Sequence, residues 1–108
     1  MDLINNKSIY RKTGGGFIGS LRFTYPLLKI IVEKELIQLK PFLGSSWKFV
    51  PEDVLSIEPT QILFTSGIKI NHIKKGCEHR IVFYTSNPNK LIETIQEIGF
   101  IPKAKPLQ

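Results

Sequence analysis

From Phe17 onward the apolar residues fall in short runs divided by turn residues, with the alternation of strands and not the three-to-four spacing of helices. Residues 17–24 form the first run, stopped by Pro26, and residues 27–33 the second. Residues 36–40 follow after only Lys34-Glu35, a tight turn, and Phe42, Leu43, Gly44 and Ser45 make the next loop. In residues 46–50, Trp47 and Phe49 share one face; Pro51-Glu52-Asp53 then interrupts, because proline gives a ladder no donor. Runs at 54–58, 67–73 and 79–85 complete seven. Pairing Ile70 with Ile81 also sets Ile68 opposite Phe83 and Asn71 opposite Arg80, so one face is apolar and the other polar, and a slip of one residue would scramble both.

After the seventh run the period changes. Asn87 is an N-cap, Pro88 suits the first helical position, and Gly99 stands where a left-handed residue ends a helix. Between them Leu91, Ile92, Ile95 and Ile98 lie on one face, opposite Glu93, Thr94, Gln96 and Glu97, so this helix must rest on something apolar. Phe100 and Ile101 pin its end, and residues 102–108 read as a frayed basic tail. At the other terminus, residues 1–12 are polar with isolated Leu3, Ile4, Ile9 and Tyr10, and run into Gly14-Gly15-Gly16, which reads as a flexible joint. The organisation expected is a flexible arm over 1–15, one domain over 16–101 and a tail over 102–108. Its fold class is mainly β, a seven-stranded antiparallel half-barrel capped by one C-terminal helix.

Composition narrows this reading. With 108 residues, 42% hydrophobic and 22% charged, the chain is long enough for one core and far from the composition of disorder. It lacks an apolar run of the ~20 residues that span a bilayer and opens without a secretory pattern, while a lone Cys77 suits a reducing compartment, so a cytoplasmic protein is expected. The net charge of +6 comes from Lys and Arg scattered from Lys7 to Lys105, a pattern of solvated surface that also favours anionic partners.

Seven short strands and one amphipathic helix, in that order, resemble the pleckstrin homology superfold, in its bacterial and GRAM-like branch, from about Phe17 to Phe100. The local text is Trp47-Lys48-Phe49-Val50-Pro51-Glu52-Asp53-Val54-Leu55-Ser56-Ile57-Glu58, similar to the family's strand, proline-acidic turn and strand. A second stretch, Ile81-Val82-Phe83-Tyr84-Thr85-Ser86-Asn87-Pro88, is similar to its last strand running into the capping helix. The resemblance implies that the helix plugs one end of a bent barrel. It also implies a far rim of three loops, here Thr24-Tyr25-Pro26, Phe42-Leu43-Gly44-Ser45 and Lys74-Lys75-Gly76-Cys77. Phosphoinositide-binding members carry several cations across the first two strands beside a roomy first loop; this chain has Arg22 and Lys29 around a three-residue turn. The superfold hosts lipid, peptide and protein binders alike, so fold alone does not choose a function.

The candidate chemistry is sparse. Gly14-x-Gly16-x-x-Gly19 matches a dinucleotide fingerprint in spacing, but that chemistry needs a strand before it and a helix after it, and a linker entering an edge strand is the better account. His72, Cys77 and His79 gather in the sixth-to-seventh hairpin, with His72 opposite His79; with Glu78 they are the weak candidate for a zinc site, against a cross-strand histidine pair on a wet rim. Cys77 with a histidine is also the sole candidate catalytic dyad, and Asp53 and Glu58 read as a turn residue and a strand-end charge. Trp47, Phe49, Tyr84 and the lysines raise nucleic acid, yet Trp47 and Phe49 alternate as core residues do, so nucleic acid is not the expected partner. Phe42 and Leu43 at a loop tip, beside Lys74 and Lys75, either touch a membrane surface or fold back over the barrel mouth, and the second is favoured. The expectation is thus a non-enzymatic binding module, without a cofactor, for an unidentified protein partner or self-association. The alternative is weak association with anionic lipids through Phe42, Leu43, Lys74, Lys75, Arg22 and Lys29.

Overall fold

Alternating apolar positions produce seven antiparallel strands, and a computed structural model describes them over residues 9–106. They are β1 (Ile9–Ile18), β2 (Leu21–Glu33), β3 (Leu36–Pro41), β4 (Trp47–Phe49), β5 (Val54–Ile62), β6 (Thr65–His72) and β7 (Ile81–Tyr84), followed by the helix α1 (Pro88–Ile98). The strands make one curled sheet in the order β4-β3-β2-β1-β7-β6-β5, a half-barrel closed by the single C-terminal helix and PH-like in general shape. Residues 30, 32, 37, 39, 68, 70, 81 and 83 alternate inward and are fully buried, so the period of two read from the sequence is the period that builds the core. Ile68 faces Phe83 across β6 and β7, the register expected from the apolar pattern.

The helix also forms where its signals lie. Asn87 Oδ1 accepts the Lys90 backbone N–H at 3.1 Å, and Gly99, at φ 103°, takes the left-handed turn that lets its own N–H reach back to Ile95 and Gln96. Leu91, Ile95 and, just past the cap, Phe100 join the core, while Glu93, Gln96 and Glu97 stay in water. The plug is therefore three apolar side chains deep.

Five expectations are corrected. Residues 9–15, assigned to a flexible arm, belong to β1, and residues 1–8 lie outside the described structure. The three glycines are there for close approach, not freedom: a Cβ on Gly16 would overlap the Val82 carbonyl oxygen of the neighbouring strand. The run 17–24 is two strands, since the chain turns at Gly19-Ser20 and Phe17 then pairs with Arg22. Thr24-Tyr25-Pro26 is accordingly no loop. It sits inside β2, where the pairing jumps from Gly14↔Leu28 to Gly16↔Phe23 and residues 24–27 bulge outward with Gly15 opposite them. Finally, the tail is docked as far as Ala104: Lys103 N–H donates to the Pro51 carbonyl at 2.8 Å and Ala104 N–H to that of Val54 at 3.0 Å. These bonds hold the C-terminal segment along the link between β4 and β5, the two outermost strands of the sheet.

Candidate functional site: the loop rim

The β1–β2 turn, the β3–β4 loop and the β6–β7 loop meet at one end of the half-barrel because the register brings them there. Ile18 pairs with both Leu21 and Ile81, and Gly19 N–H donates to the Arg80 carbonyl at 2.7 Å. Gly44, Ser45, Ser46 and Lys48 from one side share a cleft with Lys74, Gly76 and Cys77 from the other. The Lys74 ammonium hydrogen-bonds the Lys48 carbonyl and lies 5.7 Å from the centre of the Phe49 ring, so this lysine ties the two loops together.

Phe42 and Leu43 are 75% and 79% exposed. The favoured expectation, that they fold over the mouth and cap the core, is wrong: Phe49, Ile18 and Val54 already fill the interior, and the β2–β3 ladder continues as far as the Phe42 N–H, bonded at 2.9 Å to the Leu27 carbonyl, before the exposed tip. Lys40 and Lys48 are exposed on the flanking strands, and Lys75 is exposed on the β6–β7 loop, whose Lys74 and Gly76 share the cleft with Gly44 and Ser45. Arg22 and Lys29 do not converge. Seven residues apart on β2, they are separated by the bulge, with Arg22 beside the β1–β2 turn and Lys29 paired with Lys40.

The histidines behave differently from each other. His72 points inward from β6, is 6% exposed and lies 5.0 Å from Phe49, ring centre to ring centre. Lys74 N–H donates to its Nδ1 at 3.0 Å, so the ring proton is on Nε2, which donates to the Glu78 carbonyl at 2.7 Å. Both nitrogens are thus spent on holding the β6–β7 loop. His79 is exposed, its ring 6.3 Å from that of His72. Among the described residues no three His, Cys, Asp or Glu side chains are placed to share a metal ion, so the structure does not bring His72, Cys77 and His79 together as the weak zinc candidate needs. Burial, then the Glu78 carboxylate, push the Cys77 thiol above its ordinary value, the reverse of what a nucleophile needs.

A second exposed apolar tip went unread in the sequence. Leu63 and Phe64 make the two-residue turn of the β5–β6 hairpin, 85% and 100% exposed, with Leu63 at φ 54°. The run Ile62-Leu63-Phe64-Thr65 contains no Gly, Asn or Pro, so nothing in its composition marks a turn. No helix among the described residues is long and apolar enough to cross a membrane. No model of a known protein family matches the chain, and no curated protein matches it either.

Proposed function

We infer that this is a non-enzymatic, PH-like and GRAM-like recognition module that works at its loop rim, and that the surface it meets is an anionic membrane contacted from the cytoplasm. One observation carries the reading: Phe42 and Leu43 stand out in water at the tip of a loop flanked along the chain by exposed Lys40 and Lys48, with Lys75 exposed on the neighbouring β6–β7 loop. Apolar side chains ringed by cations suit the boundary between acyl chains and acidic headgroups. Each lysine near such a surface contributes about 1 kcal/mol, and the two apolar side chains at most about 1.5–3 kcal/mol apiece. The sum supports weak, reversible adhesion that strengthens when several copies or a second anchor act together.

Co-sedimentation with phosphatidylcholine vesicles, with and without phosphatidylserine, tests it. Binding is expected only with the acidic lipid and at low salt, and is lost in Phe42→Ala/Leu43→Ala. No sedimentation with acidic vesicles at low salt removes the membrane reading. If light scattering then shows a dimer that the same double variant abolishes, the rim serves self-association instead.

A further inference from the structure

The outer face of the sheet, where it meets the β1–β2 turn and the β6–β7 loop, carries cations that have no ion-pair partner among the described residues. Register sets Arg22 of β2, Phe17 of β1, Val82 of β7 and Lys69 of β6 side by side on the face opposite Ile18, Ile81, Phe83, Ile68 and Ile70, with Arg22 and Lys69 exposed, Phe17 half-buried and Val82 covered. The Arg80 guanidinium lies 4.1 Å from the centre of the Phe17 ring, and Arg22 lies 6.0 Å from the same ring. Tyr84 meets Phe17 edge to face at 5.7 Å. Two guanidinium groups on one ring repel each other, and an acidic partner would ordinarily relieve this. Here none does: the one ion pair among the described residues is Lys90 with Glu93 on the helix. Glu58 faces Lys69 in the register but accepts a hydrogen bond from Ser56 instead.

Beside this row runs an open groove of about 610 Å³ whose walls include Lys69, Asn71, His79 and Arg80 with Leu55 and Ile62, and no carboxylate. A guanidinium over an aromatic ring with a second one nearby, next to apolar side chains with amide and imidazole edges, matches a ligand that alternates phosphates with flat rings. The geometry points to single-stranded nucleic acid, with Arg22, Arg80 and Lys69 on the phosphodiester backbone and bases against the Arg80–Phe17 stack and the groove floor. Nucleic acid was not the expected partner because Trp47 and Phe49 read as core, and Phe49 is indeed buried. The rings that matter here are Phe17 and Tyr84, on the opposite side of the sheet. This reading does not use Phe42 or Leu43 and survives if the membrane reading fails.

Fluorescence anisotropy with labelled oligo(dT) and oligo(U) decides it. The expected result is salt-dependent binding with a slope of log affinity on log salt of about −2, as about three phosphate contacts to a single strand require. Lys69→Ala/Arg80→Ala should weaken binding about tenfold or more and flatten the slope by about 0.7 per cation removed. Both residues are exposed, and an unchanged circular dichroism spectrum confirms that the fold survives the change. Phe42→Ala/Leu43→Ala should bind the oligonucleotide like wild type. No anisotropy change with either oligonucleotide, equal affinity for duplex or for poly-glutamate of similar length, or unaltered binding by the double charge variant each overturns the proposal.

Discussion

At the helix end of the half-barrel Leu91, Ile95 and Phe100 are almost wholly buried, whereas at the rim Phe42 and Leu43 keep three-quarters or more of their surface in water. The two ends contain similar side chains in opposite situations. What separates them is backbone hydrogen bonding: the helix satisfies its own polar groups and can lie flat on the core, while the β3–β4 loop cannot, and must keep its peptide groups near water. Buried apolar surface is therefore concentrated at one mouth, and apolar surface stays uncovered at the other.

Paired truncations test that division with the largest effect. Phe100→Ala removes a fully buried ring and should destabilise the domain by about 3–5 kcal/mol, read from urea unfolding. Phe42→Ala should stay within about 0.5 kcal/mol of wild type. Comparable losses at both positions would mean that the rim loop is part of the core after all.

Gly16→Ala comes next and concerns how β1 is built into both halves of the sheet. The added methyl would overlap the Val82 carbonyl oxygen, a backbone atom that cannot rotate away, so the strands must part. A loss of about 1–3 kcal/mol in thermal or urea unfolding is expected. A neutral result would restore the triple glycine to a flexible joint.

This glycine shows where the sequence was legible and where it was not. Elements with a local cause could be read: Asn87, Pro88 and Gly99 cap the helix through neighbours three or four residues away, and the apolar alternation of 68–70 and 81–83 fixes a register by itself. Features decided by distant strands were hidden. Ile9 to Gly16 has too few apolar side chains to look like a strand, and becomes one because β2 pairs along it and β7 presses on its glycines. The run expected over 54–58 continues to Ile62 through Pro59, which an edge strand such as β5 tolerates. At the rim, the residue types were visible but their exposure was not, since it depends on Ile18, Phe49 and Val54 arriving from distant strands to fill the interior. Convergence of Arg80 with Phe17 depends on the turn at Gly19-Ser20, which a continuous apolar run disguised.

Between the two mouths stands His72, which ties the rim to the core. His72→Phe keeps the packing against Phe49 but strands the Lys74 N–H and the Glu78 carbonyl, at about 1–3 kcal/mol if both stay buried and less as water reaches them. Amide exchange separates this from a general loss: the Lys74 amide should exchange much faster, while those of β3 keep their protection. Uniform acceleration everywhere would show that the loop and the core open as one unit.

The smallest effect belongs to Cys77, half-buried at the junction of the two regions and packed against the core. Its thiol ionises at higher pH in the folded protein than in the unfolded chain, first because burial penalises the thiolate and then because the Glu78 carboxylate repels it. The sign follows from proton linkage. Below the ordinary thiol value both states hold the proton and the stabilising contribution is complete. As pH rises, the unfolded chain releases its proton first, and that contribution drains away until the folded thiol ionises too. Wild type should therefore lose stability on the alkaline side slightly faster than Cys77→Ser, which has nothing to ionise there, and alkylation of the native thiol by iodoacetamide should lag behind that of the urea-unfolded chain at neutral pH. Equal alkylation rates in the two states would place Cys77 with the rim, in water, and not with the core.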